Sequence, residues 1–282
     1  MNSNHLTPYP ALSGAIQQLD LGGKSILITG GGYGIGKDIA CSFAERLPTR
    51  IVLIGRTENR LKGTAADLAV RFPTVTFAYR CVDITSSTDV QALFDWAQTP
   101  LDVLINNAGY LPLMQSFMDA DLDELQRGLM TNVYGTALMT QTFLRHRETY
   151  RAPSAPPAVI ITMNTAGALS LRIPHLTAYA STKAALARWS ELAPVDVPDG
   201  VARFISVHPG AVDTQMGARF NLPKSFPFTD AKLVGDFLVW LTSDEARFLS
   251  GRFVCVKWDV GELVEMKEEV LSRDLFRTLL SM

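Results

Sequence analysis

The sequence predicts an α/β fold in a single domain, built as a doubly wound parallel sheet of seven strands with helices on both faces. Short apolar runs rich in β-branched residues alternate with longer amphipathic stretches, which is the rhythm of consecutive βαβ units. The runs are continuously hydrophobic, as expected for strands that are covered on both faces. A glycine-rich turn between the first strand and the first helix also favours this class.

Seven apolar runs predict the strands Ser25–Thr29, Ile51–Gly55, Val75–Arg80, Val103–Asn106, Val159–Met163, Arg203–His208 and Arg252–Val256. The stretches between them predict helices near residues 35–47, 58–71, 87–98, 121–147, 177–193 and 230–242. A proline-rich stretch at 152–157 has the composition of a domain linker. We interpret it as a surface loop, because the strand–helix alternation resumes directly after it.

The amino-acid composition indicates which kinds of ligand and which cellular compartment to expect. A net charge of −2 without a long basic run argues against nucleic acid. Cys41, Cys81 and Cys255 are widely spaced and odd in number, which is typical of free thiols in a reducing compartment. The four histidines have no ligand-like spacing, so we expect no metal site. The first twenty residues lack the pattern of a secretory signal, and no apolar run approaches the length of a membrane span. We expect a cytoplasmic protein.

The glycine-rich turn at residues 29–36 opens the first predicted helix and predicts a dinucleotide site. Glycines let the backbone approach a pyrophosphate, whose charge is stabilised at a helix N-terminus. An ordinary loop is the alternative, because the spacing of Gly30, Gly34 and Gly36 differs from the commoner G-x-G-x-x-G pattern. We predict coenzyme contacts from Gly30, Gly32, Tyr33, Gly34 and Ile35.

The end of the second strand predicts the choice of coenzyme. An acidic residue there would bind the ribose hydroxyls of NAD, whereas an arginine accepts a 2′-phosphate. Gly55 is followed by Arg56, so we predict NADP(H) over NAD(H); a solvated surface arginine is the alternative. Asp83, after the third strand, would accept a hydrogen bond from the adenine amino group or cap the next helix.

Tyr179 and Lys183 are four residues apart on a predicted helix and therefore share one face. A nearby cation lowers the pKa of a phenol, which makes tyrosine a workable acid or base at neutral pH. Alone, such a pair is an ordinary surface feature. The dinucleotide site upstream in the chain favours a catalytic interpretation.

These motifs occur in one order along the chain: the glycine-rich turn, Asp83-Ile84, Asn106–Gly109, Asn132, the Tyr179 and Lys183 pair, and Pro209-Gly210 with Thr214. The ordered set resembles the short-chain dehydrogenase/reductase family, classical type, over about residues 23–263. The stretch 251–263 is similar to a fungal branch that often acts in secondary metabolism. We therefore divide the chain into an N-terminal arm at 1–22, a Rossmann-type domain at 23–264 and a C-terminal helical extension at 265–282 packed on that domain.

The resemblance implies coenzyme contacts from Asp83, Ile84, Asn107, Ala108, Gly109, Pro209, Val212 and Thr214. Thr214 and the backbone of Val212 would hold the nicotinamide carboxamide. Lys183 would bind the nicotinamide ribose and lower the pKa of Tyr179. Asn132 would bend its helix and hold a water that relays protons through Lys183, or would merely satisfy backbone groups inside that helix. Association as a homodimer or homotetramer through the long helices is also implied.

One family element is missing. The catalytic serine of the family would follow the fifth strand, where this chain has Asn164 and Thr165. We favour Thr165, because it keeps a hydroxyl that can donate to a substrate carbonyl and relay a proton. The alternative is Asn164, whose amide can donate but cannot relay a proton in the same way.

The resulting prediction is an NADP(H)-dependent oxidoreductase that interconverts a carbonyl and an alcohol on a hydrophobic small molecule, with Asn132, Thr165, Tyr179 and Lys183 as catalytic residues. The apolar stretch at 216–228 suggests a hydrophobic substrate, unless these residues only pack the loop onto the core. Further pocket candidates are Leu113, Met114, Leu169, Ile173 and Leu176. The missing serine keeps open an alternative, a cyclase, dehydratase or isomerase on the same scaffold that retains the nucleotide.

Overall fold

The structure, a computed structural model, describes residues 3–223 and 225–278. Its seven strands form one parallel sheet in the order β3-β2-β1-β4-β5-β6-β7. The strands are β1 (Ser25–Thr29), β2 (Arg50–Gly55), β3 (Thr76–Cys81), β4 (Val103–Asn106), β5 (Ala158–Met163), β6 (Ala202–His208) and β7 (Arg252–Cys255). The order reverses between β1 and β4, so the predicted doubly wound fold is confirmed.

Ten α-helices lie among the described residues: α1 (Pro10–Gln17), α2 (Ile35–Ala44), α3 (Glu58–Arg71), α4 (Ser87–Ala97), α5 (Leu122–Gly128), α6 (Thr136–Tyr150), α7 (Thr177–Asp196), α8 (Ala231–Leu241), α9 (Val260–Glu265) and α10 (Lys267–Ser272). They cover both faces of the sheet. Within β1, Ile26 and Ile28 pack into one apolar core and Leu27 packs into the other. Such double coverage requires a strand without polar alternation, as the sequence predicts.

The helix predicted at 121–147 is three helical segments in the structure. Helix α5 is followed by a π-helical segment, Leu129–Gly135, and then by α6. A π-helix closes its hydrogen bonds one residue further along than an α-helix. The wider turn contains Asn132, whose side chain is fully buried.

The predicted N-terminal arm contains a helix that the sequence analysis missed. In α1 the side chains of Leu12 and Ile16 are buried in the main core, and α1 contacts both α8 and α9. Helix α8 is consequently covered from two sides, by α1 and α2, and every residue from Leu233 to Leu241 is buried. An eight-residue helix with two buried side chains has too short a pattern for periodicity to identify.

The C-terminal segment packs against the rest of the chain. Phe253 N in β7 donates to Phe276 O at 2.8 Å, and Thr278 N donates to the buried carboxylate of Glu191 in α7 at 2.7 Å. The boundary predicted at residue 264 falls inside α9. Residues 279–282 of the predicted extension, like residues 1 and 2 of the predicted arm, lie outside the described residues.

Candidate active site

A cleft of about 720 Å³ lies at the edge of the sheet where the parallel strands end. Ligands of open α/β sheets bind at this edge, near the point where the strand order reverses. Fifteen of the predicted site residues line the cleft: Gly30, Gly32, Tyr33, Gly34, Ile35, Arg56, Asp83, Ile84, Asn107, Ala108, Gly109, Tyr179, Lys183, Pro209 and Thr214. Asn132, Thr165 and Val212 are also predicted site residues, but they do not contribute to the lining formed by the described part of the chain.

The glycine-rich turn has a backbone that favours glycine at its tightest points. Gly30 and Gly34 have φ values of 66° and 55°, in the left-handed region that favours glycine. A Cβ atom on Gly36 would lie 2.2 Å from Gly30 O, so the start of α2 closes directly onto the end of β1. Backbone atoms and the positive end of α2 are thereby placed against the cleft.

Asn107 joins the ends of β1 and β4. Its side-chain Nδ2 donates to Thr29 O at 3.0 Å and to Gly30 O at 3.2 Å. The hydroxyl of Thr29 accepts the backbone N–H groups of Asn107 and Ala108, both at 2.9 Å. These bonds hold the wall of residues 107–109 beside the glycine-rich turn, and Thr29 is a supporting residue that the sequence analysis did not single out.

Arg56 and Asp83 lie at the other end of the cleft, after β2 and β3. Asp83 does not cap α4; Ser86 is the N-cap, accepting the N–H of Asp89 at 3.1 Å. Asp83 Oδ1 instead accepts from the backbone and the hydroxyl of Thr85, at 2.9 and 2.8 Å. The helix-capping alternative for Asp83 is therefore wrong.

Asn132 fixes the backbone of Tyr110 from behind the cleft. Its Oδ1 accepts from Tyr110 N at 2.7 Å, and its Nδ2 donates to Tyr110 O at 2.8 Å and to Thr182 Oγ1 at 2.9 Å. One side chain thus joins the π-helical segment, the loop after β4 and α7, the helix that carries Tyr179. The wider π-helical turn is what places an amide here, and its buried polar atoms are satisfied.

Tyr110 lines the cleft and is a residue that the sequence analysis missed. Its hydroxyl donates to the buried carboxylate of Glu124, at 2.8 and 2.7 Å from the two oxygens. Glu124 also accepts from Leu113 N at 2.9 Å. The Tyr110 hydroxyl holds the pKa of Glu124 below its usual value. No local sequence pattern connects these residues, because the contact depends on how α5 packs against the loop.

Tyr179 and Lys183 both line the cleft, as their shared helix face predicts. The expected lowering of the Tyr179 pKa is wrong: burial raises it to about 12. Burial also lowers the pKa of Lys183 to about 8. The ammonium donates to Met163 O at 2.8 Å and lies 5.9 Å from the centre of the Tyr179 ring, so loss of hydration outweighs its attraction for a phenolate.

The two candidates for the missing serine differ in their surroundings. Asn164 lines the cleft; its Nδ2 donates to Ser206 Oγ at 3.0 Å and its Oδ1 accepts from Thr165 N at 2.8 Å. Thr165 Oγ1 accepts from Gly167 N at 3.2 Å and caps a short 3₁₀-helix, Ala166–Ala168. Thr165 follows directly after Asn164 and is half-buried beside the cleft lining.

The segment after β6 crosses the glycine-rich turn. A Cβ atom on Gly34 would lie 3.7 Å from Thr214 Cγ2, and Thr214 O accepts from Ala218 N at 2.8 Å. Val212 is buried, and its carbonyl oxygen is so close to Gly217 that a Cβ there would approach it to 2.5 Å. The backbone of residues 212–217 is therefore closely packed over the cleft.

The predicted hydrophobic pocket residues do not line the main cleft. Leu169, Ile173 and Leu176 line a second, more open cavity of about 490 Å³ between the loop after β5 and α7. From the stretch at 216–228, Met216 lines the main cleft, while Phe226 and Phe228 pack edge to face with ring centres 5.4 Å apart. Lys224 in this stretch lies outside the described residues. Leu113 and Met114 belong to neither lining as described.

Two further observations bear on possible partners. Within residues 3–223 and 225–278, no helix has both the length and the apolar character needed to cross a bilayer. The same residues contain no group of three or more histidine, cysteine or acidic side chains arranged to hold a metal ion. Fold and cleft together define a dinucleotide-binding α/β protein with a tyrosine–lysine pair beside the binding cleft.

Comparisons with known proteins agree with this class. A family model described as short chain dehydrogenase matches residues 24–224. The chain is 30% identical over 293 residues to the short chain dehydrogenase mpl6 of Monascus purpureus, covering 99% of this chain and 96% of the relative. A short chain dehydrogenase of Escherichia coli CFT073 complexed with NADPH matches with a TM-score of 0.77 and 22% identity, over 86% of this chain and 99% of that one. NAD⁺-bound xylitol dehydrogenase matches with a TM-score of 0.73 and 22% identity, over 84% and 98%.

The chain therefore belongs to the short-chain dehydrogenase family, whose members are oxidoreductases that bind a nicotinamide coenzyme. The Monascus relative also agrees with the predicted likeness to a fungal branch. The two structural matches show the fold alone, and because one holds NADPH and the other NAD⁺, they do not select a coenzyme.

The residues of the cleft fit a nicotinamide dinucleotide. Gly34 leaves open space where a side chain would stand, with Thr214 as its nearest neighbour at 3.7 Å. A Cβ atom on Gly109 would lie 3.7 Å from Lys183 Nζ, so the missing side chain clears the approach to the ammonium. The cleft volume of about 720 Å³ is within the range of about 300–1,000 Å³ that is typical of small-molecule and cofactor sites.

Proposed function

We propose that this chain is an NADP(H)-dependent oxidoreductase that interconverts a carbonyl and an alcohol on a hydrophobic small molecule. The observation that carries the proposal is that Tyr179 and Lys183 line the same cleft as the glycine-rich turn. A proton-transferring phenol has a use beside a nicotinamide, because that coenzyme supplies or accepts a hydride but not the accompanying proton.

The preference for NADP(H) rests on Arg56. Its guanidinium follows β2 at the cleft, and the neighbouring residue 55 is a glycine rather than an acid. A guanidinium can make two parallel hydrogen bonds to a phosphate. The carboxylate that would bind the ribose hydroxyls of NAD at this point is absent, because a glycine stands at residue 55. The exposed position of Arg56 leaves its donors accessible to a 2′-phosphate.

Tyr179 is proposed as the proton donor to the carbonyl oxygen. With a pKa of about 12, the phenol is protonated at neutral pH and so can donate a proton in the direction of reduction. Lys183 is proposed to bind the nicotinamide ribose, because its ammonium lies where Gly109 opens the wall of the cleft. Asn132 is proposed to support both through its bonds to Tyr110 and Thr182.

Thr165 remains our proposal for the second donor to the carbonyl oxygen. Its Oγ1 acts as an acceptor toward Gly167 N, which uses a lone pair and leaves the hydroxyl hydrogen available. The amide of Asn164 donates one of its two N–H groups to Ser206 and accepts from Thr165, so it keeps a donor but has no hydroxyl that could relay a proton. A hydroxyl can donate to a substrate oxygen, where it stabilises developing charge, and can also relay a proton.

A hydrophobic substrate is proposed from the apolar side chains near the Tyr179 and Lys183 pair. Met163 and Met216 line the main cleft, and Leu169, Leu171 and Ile173, which line the second cavity, are about half exposed. Exposed apolar side chains beside a cleft are typical of a binding surface. A role in fungal secondary metabolism is part of the same proposal, and the Monascus relative is consistent with it.

The test is to incubate the purified protein with NADPH and a panel of aryl and alkyl ketones and to follow the NADPH absorbance. We expect coenzyme oxidation that depends on the ketone and is absent with the Tyr179→Phe variant, the matched control for contaminating activity. If ketones are converted while NADPH is neither consumed nor exchanged, the non-redox alternative on this scaffold replaces the proposal.

A further inference from the structure

Arg60 connects the glycine-rich turn with the segment after β6. It is in the first turn of α3 and lines the cleft near Arg56. Its guanidinium carbon lies 4.4 Å from the centre of the Tyr33 ring in the glycine-rich turn. Its Nη1 donates to Gln215 Oε1 at 3.1 Å. Arg60 therefore contacts the coenzyme-binding turn and the segment after β6 at the same time.

Gln215 stands between two residues that line the cleft, Thr214 and Met216. The short helix Gly217–Phe220 follows, and from it Arg219 donates to Leu111 O on the other side of the cleft. Residues 214–220 thus form a crossing segment, held at one end by Arg60 and at the other by the loop after β4. A change in the contact at Gln215 acts directly on the covering of the cleft.

The guanidinium of Arg60 has capacity for a further ligand. Arginine carries five N–H donors in a rigid fork, and one is used by Gln215. The Arg60 guanidinium lies over the Tyr33 ring in a cation–π contact, which restricts its position. With Arg56 on the preceding turn, two guanidinium groups border the end of the cleft where the proposed function places a 2′-phosphate.

We infer that Arg60 is a positioning residue that couples a 2′-phosphate at the adenosine end of the cleft to closure of the crossing segment, through its bond to Gln215. The inference rests on the proposed preference for NADP(H). A phosphate on Arg60 restricts the fork to the orientation that Gln215 accepts, so the phosphate and the closed segment stabilise one another. A coenzyme without the 2′-phosphate fills the same cleft without this link.

The test uses two small probes that reach only the adenosine end, adenosine 2′,5′-bisphosphate and 5′-AMP. Hydrogen exchange is measured at the amides of Gly217, Ala218 and Arg219, because these donate their N–H groups to acceptors within the crossing segment. At saturating probe, the bisphosphate should slow their exchange by about two- to fivefold more than 5′-AMP does, the range expected for one exposed contact of this kind.

Two variants separate coupling from simple binding. In Gln215→Leu the extra protection by the bisphosphate should vanish, and its affinity should fall by the same factor, because coupling is reciprocal. Gln215→Glu keeps an acceptor for Arg60 and should retain or increase the protection. Gln91→Leu, which alters an exposed glutamine on α4 bonded to Asp95, is the matched control and should behave like the unaltered protein.

Equal protection by both probes, or protection that persists in Gln215→Leu, overturns the coupling while leaving the proposed function intact. If the bisphosphate binds no more tightly than 5′-AMP even to the unaltered protein, the NADP(H) preference fails and the inference fails with it. The binding constants, measured by calorimetry on the same samples, distinguish these two failures.

Discussion

Replacing Lys183 with methionine is expected to stabilise the folded protein at neutral pH while it removes one member of the proposed catalytic pair. The side chain of Lys183 is buried, and burial lowers its pKa from 10.5 to about 8. At about 1.36 kcal/mol per pKa unit, the buried charge costs about 3 kcal/mol near pH 7. Losing the bond to Met163 O offsets about 1.5 kcal/mol of this. The variant should therefore be about 1–2 kcal/mol more stable.

The same pKa shift sets how this difference changes with pH. Below pH 8 the lysine is charged in both the folded and the unfolded protein, so the folded state carries the full cost. Between pH 8 and pH 10.5 the folded protein loses the proton first, and the cost declines. Near pH 9.5 the unaltered protein should have recovered about 2 kcal/mol, which removes the advantage of the variant. The phenol of Tyr179, with a pKa of about 12, remains protonated over this range.

The assay is urea unfolding of both proteins without coenzyme, followed by tryptophan fluorescence near pH 7, 8.5 and 9.5. Lys62→Met is the matched control, because Lys62 is exposed on α3. Its small effect should be the same at every pH. A Lys183→Met protein that is less stable than the unaltered one near pH 7, or whose advantage does not decline by pH 9.5, would show that the ammonium is better hydrated than its position implies.

Further outcomes are expected at other positions. Tyr179→Phe should lower kcat by at least about 100-fold while the NADPH dissociation constant, measured by fluorescence quenching, changes less than about twofold. Thr165→Ala should lower kcat by about tenfold or more; a larger loss in Asn164→Ala would transfer the role to Asn164. Arg56→Ala should raise the NADPH dissociation constant by about tenfold and leave that for NADH nearly unchanged in calorimetric titrations. Leu12→Ala should lower the free energy of unfolding by about 2–5 kcal/mol, measured in urea.

The sheet could be predicted because its central strands carry their own signal. In β1 all five residues are buried, and in β5 all six, so the apolar runs coincide with the strands. The prediction for β3 is displaced by one residue, and this edge strand has half-buried and exposed residues throughout. Where burial is incomplete, hydrophobicity locates an element less sharply.

The site could be predicted where its residues lie near one another in sequence or follow a strand. Contacts between distant segments could not. Arg60 and Gln215 are 155 residues apart, and the clamp of Asn132 on Tyr110 joins residues separated by 22. The pKa of Tyr179 could not be predicted either, because its direction depends on where the Lys183 ammonium points. The spacing of two residues on a helix predicts that they share a face. It does not predict whether loss of hydration raises the pKa of the tyrosine more than the neighbouring ammonium lowers it.

The π-helical segment Leu129–Gly135 gives this stretch of chain a length that cannot be adjusted freely. Deleting one residue between 129 and 131 would let the hydrogen bonding revert to the tighter α-helical pattern, because a π-helical turn holds one residue more than an α-helical turn. The amide of Asn132 would then be carried away from both Tyr110 and Thr182. The shortened helix would be more regular. However, α7 and the loop after β4 would lose the Asn132 side chain that joins them.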